Sequence, residues 1–266
     1  MTVVQHRVPS PATDRMIPSI PMGRIATTEL RKMLDTRSGF WTMASIALVS
    51  LATTGLVILF ADRGDLTYST FAAAIGVPMS LILPIIAILS VTAEWSQRSG
   101  LTTFALVPHR GRVITGKLMA ALAVAIVGTP VAFAIGALGN LGGAAIAGVS
   151  PVWDLTLTHL LTIELANVLG MLVGFMLGVV VRGSAGALVA YFIYQFLLPT
   201  LGLILAAKQA WFSDLQPWVD FDFATGALLE GSVTAQQWLQ LAITGLIWLV
   251  VPLAVGLRLV VRAEVK

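Results

Sequence analysis

The chain contains no cysteine, which excludes disulfide frameworks, thiolate metal sites and cysteine nucleophiles. Charge is scarce too. Asp, Glu, Lys and Arg supply 11% of the 266 residues, where a soluble domain carries about a quarter. With 57% hydrophobic residues and a mean hydropathy of +0.90, that shortage excludes a water-soluble globular enzyme and a disordered regulator. A pI near 9.6 does not make it a nucleic-acid binder, because the basic residues are separated by long uncharged stretches. No G-x-x-x-x-G-K-[ST] phosphate loop is present, so the chain does not hold ATP by that route. There is no H-E-x-x-H either, and no metal site is expected from His6, His109 and His159.

What the chain has is long apolar runs. A bilayer core of roughly 30 Å takes about 20 apolar residues in a helix. Six runs qualify, at Phe40–Ala61, Phe71–Ala93, Leu118–Leu138, Leu155–Val181, Ala185–Ala206 and Trp238–Leu257. They lack the short alternation of barrel strands. The expected fold is therefore an all-α integral membrane protein with six transmembrane helices, preceded by an N-terminal interfacial amphipathic helix. No cleavable signal peptide is expected, since mostly polar residues precede the first run.

Orientation follows from Lys and Arg. If both termini share one side, that side collects fourteen of the sixteen basic residues, leaving Arg63 and Lys208 opposite. Asp62, Asp65, Asp154, Asp214, Asp220, Asp222 and Glu230 fall on the other side. Both termini are expected in the cytoplasm.

Residues 1–21 hold four prolines and little apolar content, as a flexible tail does. Over 22–38, Met22, Ile25, Ala26, Leu30, Met33 and Leu34 recur at helical spacing, opposite Arg24, Arg31 and Asp35. This predicts an amphipathic helix along the membrane surface. It is either a basic anchor or, in addition, a seat for a cytoplasmic partner. Glu29 projects near the apolar stripe and wants a cationic neighbour. The connection 94–117 is longer than a reversal of direction needs: Glu94 and Trp95 open it, and Arg98, a short apolar piece Leu101–Val107, Pro108, His109, Arg110, Arg112 and Lys117 follow. A short helix with its own apolar face suits a docking surface better than a plain connector.

These stretches, TELRKMLDTRSGFW and EWSQRSGLTTFALVPHRGRVITGKL, together with six spans, resemble the membrane subunit of a type-2 ABC exporter. Glu94–Trp95, Gly100–Leu101–Thr102, Pro108, Arg110 and Lys117 follow that family's order, with Leu101 where Thr often comes directly after Gly. The resemblance implies a separate ATPase subunit that binds ATP and Mg, no cofactor on this chain, and a second permease copy or a paralogous permease completing the path. It also implies that Glu29, Arg31, Glu94, Arg98, Arg110 and Arg112 face that ATPase. Residues 207–237 would form an external re-entrant segment.

In that segment Trp211, Phe212, Trp218, Phe221 and Phe223 alternate with Asp214, Asp220 and Asp222, a pattern for short helices at the outer interface. Trp211, Trp218 and Phe221 are candidates for an external gate, or simply for an aromatic belt. Within the fourth span, Glu164 is the residue a bilayer would penalise, with His159 and Asn167 nearby. Positions 164 and 167 share a helix face, while 159 lies about 140° from 164. Either the three touch substrate on a pathway, or Glu164 locks helices together. Gly170, Gly174 and Gly178 form a small-residue stripe expected to pack within the chain against the start of the fifth span.

The expected function is a permease subunit of an ATP-driven exporter moving an amphipathic or lipid-like substrate, such as a drug, antibiotic, lipid or peptide, out of the cytoplasm across the plasma membrane. Its partners would be the ATPase subunit, the second permease and the lipid bilayer, with no nucleic acid. The alternatives are a stand-alone secondary transporter or an intramembrane enzyme using His159 and Glu164.

Overall fold

The computed structural model describes residues 20–96 and 110–262. The tail before residue 20, Arg98, and the short helix expected at 101–107 lie outside the described residues. So do the side chains of Glu94 and Arg110, whose backbones are helical.

Among the described residues the fold is helical apart from an isolated bridge between Thr67 and Val152. Helix α1 is Met22–Asp35, α2 Arg37–Phe60, α3 Tyr68–Ser96, α4 Arg110–Ala147 and α5 Leu157–Val181. Helix α6 runs continuously over Ser184–Lys208 and contains a π turn at Ile193–Leu197. The short helices α7, Ala210–Val219, and α8, Phe221–Gly226, follow. Helix α9 joins Ala235–Gly245, a π turn at Leu246–Val250, and Val251–Arg262. Helices α2 to α6 and α9 are the six long and apolar enough to cross a membrane, matching the six apolar runs.

Helix α4 departs most from expectation. It begins inside the stretch assigned to the 94–117 connection and continues past Leu138, giving 38 residues or about 57 Å. At its far end Gly139 and Gly143 are contact points rather than breaks. A Cβ on Gly139 would press on Thr54 Cγ2 and lie 3.0 Å from the Phe71 ring. The near end is held down by α1, whose Ile25 Cγ2 would be 2.6 Å from a Cβ on Gly116.

Helices α3, α4 and α5 form the inner layer. In their most apolar windows 44%, 39% and 44% of residues are buried, against 17%, 11% and 22% in α2, α6 and α9. The glycine stripe of α5 does pack within the chain, but against α3 rather than the start of α6. Gly174 faces the Pro84 backbone and Gly178 faces Val91. Proline explains why this face of α3 is available. Pro84 has no N–H, so the Ser80 carbonyl one turn earlier loses its helical donor. The Tyr191 hydroxyl of α6 donates to that carbonyl at 2.6 Å. A neighbouring helix thus satisfies what the proline leaves open, as bilayer-depth backbone requires.

Pro199 and Pro252 act on their own helices. Each follows a π turn by two residues, so the carbonyl it deprives of a partner lies inside that turn. The two π turns face one another: the Tyr194 and Trp248 ring centroids are 6.3 Å apart. In the chain, the segment expected at 207–237 lies between the two π turns and packs on α9. It turns back alongside the long helices instead of crossing their ends. Trp248 Nε1 donates to the Val219 carbonyl at 2.7 Å, and a Cβ on Gly245 would meet the Phe221 ring at 3.3 Å. Gly245 is ten residues into α9, about 15 Å from its start.

Candidate functional site

The end of the bundle on which α1 packs carries an ion-pair network. Glu29, 5% exposed on α1, accepts from Lys117 Nζ of α4 at 2.7 Å and from Lys32 Nζ at 2.6 Å. Lys117 also donates to the Ser90 carbonyl of α3 at 3.2 Å. Three helices are thereby tied at one point. Burial alone would push the Glu29 carboxyl up, but Lys117, with Lys32 in support, holds it below its ordinary value. The cationic neighbour that Glu29 wanted is therefore inside the chain. The apolar stripe of α1 also turns inward, with Leu30 and Met33 packing on the core beside Ile25.

That placement changes the set expected to face an ATPase. Glu29 points into the protein and offers no surface to a partner. Arg31 is exposed on the opposite face. Arg112, half-buried, donates through Nη2 to the Ile20 carbonyl and fixes the chain entering α1.

The second feature is a partly open cavity of about 650 Å³ lined by α3, α5, α6 and α8, within the range of small-molecule pockets. His159, Asn167 and Phe221, expected from sequence as pathway or gate residues, meet on its wall. His159 Nε2 is 2.8 Å from the Leu229 carbonyl, and its ring lies against Gly231. Gly231 has φ +81°, and a Cβ there would be 2.7 Å from His159 Nδ1, so both conformation and space require glycine. Buried Asn167 reaches across to Thr129 of α4, Nδ2 to Oγ1, at 3.5 Å. Trp211 is exposed and Trp218 half-buried, and neither reaches the cavity wall.

Glu164 does not line the cavity. Both its carboxyl oxygens are buried without a hydrogen-bond partner among the described residues, and the Thr129 hydroxyl stands beside them without meeting hydrogen-bond geometry. An unmade buried hydrogen bond costs about 1–3 kcal/mol. Glu164→Met should therefore raise the thermal unfolding midpoint in detergent, by about 2–4 °C per kcal/mol recovered. A lowered midpoint would mean that the carboxyl does have a stabilising partner.

Sequence reasoning missed Asp222, Tyr194 and Gln195 on the same wall. Asp220 and Asp222 look equivalent in the text DFDF, yet they differ in use. Asp220 caps α8 by accepting from the Phe223 amide at 3.1 Å and also accepts from Gln216 at 3.1 Å. Asp222, two residues on, makes no side-chain hydrogen bond or ion pair among the described residues and faces the cavity. Burial, and then the Asp220 charge, pushes its carboxyl up to about 6. The signal that could have found Tyr194 and Gln195 is Pro199, which places the π turn there.

No protein-family model matches the chain, and no curated protein matches it in sequence.

Proposed function

We propose that the chain is the membrane-spanning permease subunit of an ATP-driven exporter of the type-2 ABC kind, moving an amphipathic or lipid-like substrate out of the cytoplasm. It sits in the plasma membrane with both termini cytoplasmic. A separate ATPase subunit, binding ATP and Mg, rests against its inner end, and a second permease, identical or paralogous, completes the assembly. Helix α1 lies at the inner membrane interface, and α7 and α8 form the re-entrant segment at the outer side.

The observation that carries this is the buried tie of Glu29 on α1 to Lys117 of α4 and, through Lys117, to Ser90 of α3. A push on α1 from the cytoplasm is delivered to α3, and α3 forms one wall of the 650 Å³ cavity. Force at one end and a substrate-sized space at the other are the two parts that a partner-driven pump needs. Support also comes from the resemblance in 94–117 and from the basic residues gathered on the side of the termini.

A pull-down of the tagged chain in mild detergent, with mass spectrometry and an ATPase assay, tests the proposal. The expected result is a co-purifying P-loop ATPase with vanadate-sensitive hydrolysis. A chain that purifies alone under several gentle conditions, without hydrolysis, would shift the assignment to a stand-alone transporter. Reversing charge at Arg31 and Arg110 together should lower ATPase recovery about tenfold, the effect of roughly 1.4 kcal/mol. Arg112 is left out because it holds Ile20 within the chain. Unchanged recovery would remove this face as the docking surface.

A further inference from the structure

We propose that the cavity bounded by α3, α5, α6 and α8 binds the positively charged end of an amphipathic cation, with Asp222 as its counter-charge. This deepens the exporter assignment, on which the cavity's role as a substrate path rests.

Among the described residues lining the cavity, Asp222 is the only carboxylate, and no Lys or Arg is present. The negative end is therefore uncompensated from within. Asp220 adds to it: its carboxylate is engaged as a cap and with Gln216, but its charge stays close enough to perturb Asp222. A half-buried carboxylate that faces a substrate-sized cavity and has no protein donor among the described residues is open to a charge brought by a ligand. Position favours a ligand as the source. Tyr194, partly exposed on the same wall, stands close enough to feel the Asp222 charge, and a cation over an aromatic face gains about 0.5–2 kcal/mol. Ala73, Val77, Ile163 and Val173 supply apolar wall for the remainder of such a molecule. An anion would meet Asp222 with nothing to offset the repulsion. A neutral lipid would leave it unpaired.

The probe is tetraphenylphosphonium, a permanently charged lipophilic cation, with tetraphenylborate as its anion of the same shape. Equilibrium binding is measured on the full chain in zwitterionic nanodiscs. Saturable tetraphenylphosphonium binding is expected, weakened tenfold or more by Asp222→Asn, retained in Asp222→Glu, and not displaced by tetraphenylborate. If Asp222→Asn does not fold, Tyr194→Leu should weaken binding several-fold while leaving the carboxylate in place. Absence of saturable binding, equal binding by Asp222→Asn, or displacement by the anion overturns the proposal.

Because the probe carries fixed charge, its binding should fall as pH drops through about 6, where Asp222 takes up a proton. The other titratable groups facing Asp222 are Asp220, Tyr191 and Tyr194. His159, elsewhere on the wall, is replaced by Gln in a parallel series so that the pH dependence reports on the carboxylate. No ATPase subunit enters the assay. A failed pull-down with intact Asp222-dependent binding would leave the cation site standing, and the reverse outcome would leave the exporter assignment standing.

Discussion

Lys117→Met should cost about 3 kcal/mol of stability, the low end of the 3–5 kcal/mol range for breaking a buried ion pair. The loss comes from Glu29, which stays buried after its closest interhelical partner is gone. Lys32 remains at 2.6 Å, but it is about half exposed and belongs to the same helix, so it neither replaces the Coulomb attraction in full nor ties α1 to α4. Replacing both partners tests the assignment more sharply than either single change. Glu29→Leu combined with Lys117→Met removes two desolvation penalties along with the attraction, and such swaps are often neutral or stabilising by about 1–4 kcal/mol. The double variant should therefore unfold at a higher temperature than Lys117→Met alone. If its loss relative to wild type equals the sum of the two single losses, the pair contributes no coupling. The pair also predicts a pH dependence. The folded-state value of Glu29 lies below its ordinary 4.5, so its contribution is complete at neutral pH and is lost as pH falls below that figure. Wild type should lose stability over that interval faster than the double variant does.

How much of this was legible in the sequence differs by feature, for physical reasons. The six spans were legible because a bilayer demands continuous apolar length, and that is a local property. Glu29's need for a cation was legible too, since its position on an apolar stripe is fixed by helical periodicity alone. The identity of the cation was not. Lys117 read as the last basic residue of a loop, and it became a buried partner because α1 packs across the lengthened start of α4. Gly170, Gly174 and Gly178 announced close approach of a helix, yet periodicity does not say which helix, and the partner is α3 rather than α6. Asp222 was hidden by its neighbours. The sequence offers three similar acids among aromatics, and only the cap at Asp220 separates a structural carboxylate from one left facing a cavity. Prolines within the spans carry information that hydrophobic periodicity does not. Pro84 frees the Ser80 carbonyl for Tyr191, and Pro199 and Pro252 each stand behind a π turn.

Across the glycine stripe of α5, alanine substitution should give three different outcomes on one face of one helix. At Gly170 a Cβ would sit 3.9 Å from Pro84 Cγ, an ordinary contact, and Gly170→Ala should change stability by no more than about 0.5 kcal/mol. At Gly178 it would be 3.1 Å from Val91 Cβ, a side-chain atom with some freedom to yield, and a loss of about 1 kcal/mol is expected. Gly174 is the severe case. Its Cβ would come within 2.6 Å of Pro84 Cα and closer still to the Pro84 carbonyl oxygen. Those are backbone atoms, and a proline backbone has little freedom to move aside. Helix α3 must then separate from α5 as a unit, at a cost of about 3 kcal/mol or more. The separation should also stretch the Tyr191–Ser80 hydrogen bond and open the cavity, because α3 supplies both. Gly174→Ala should accordingly lose cation binding at temperatures where it is still folded, whereas Gly170→Ala keeps it. Thermal midpoints in detergent, followed by tetraphenylphosphonium binding in nanodiscs, check the series. A common small gain at all three positions, as the higher helix propensity of alanine alone would give, would show that the contact between Gly174 and Pro84 does not set the distance between the two helices.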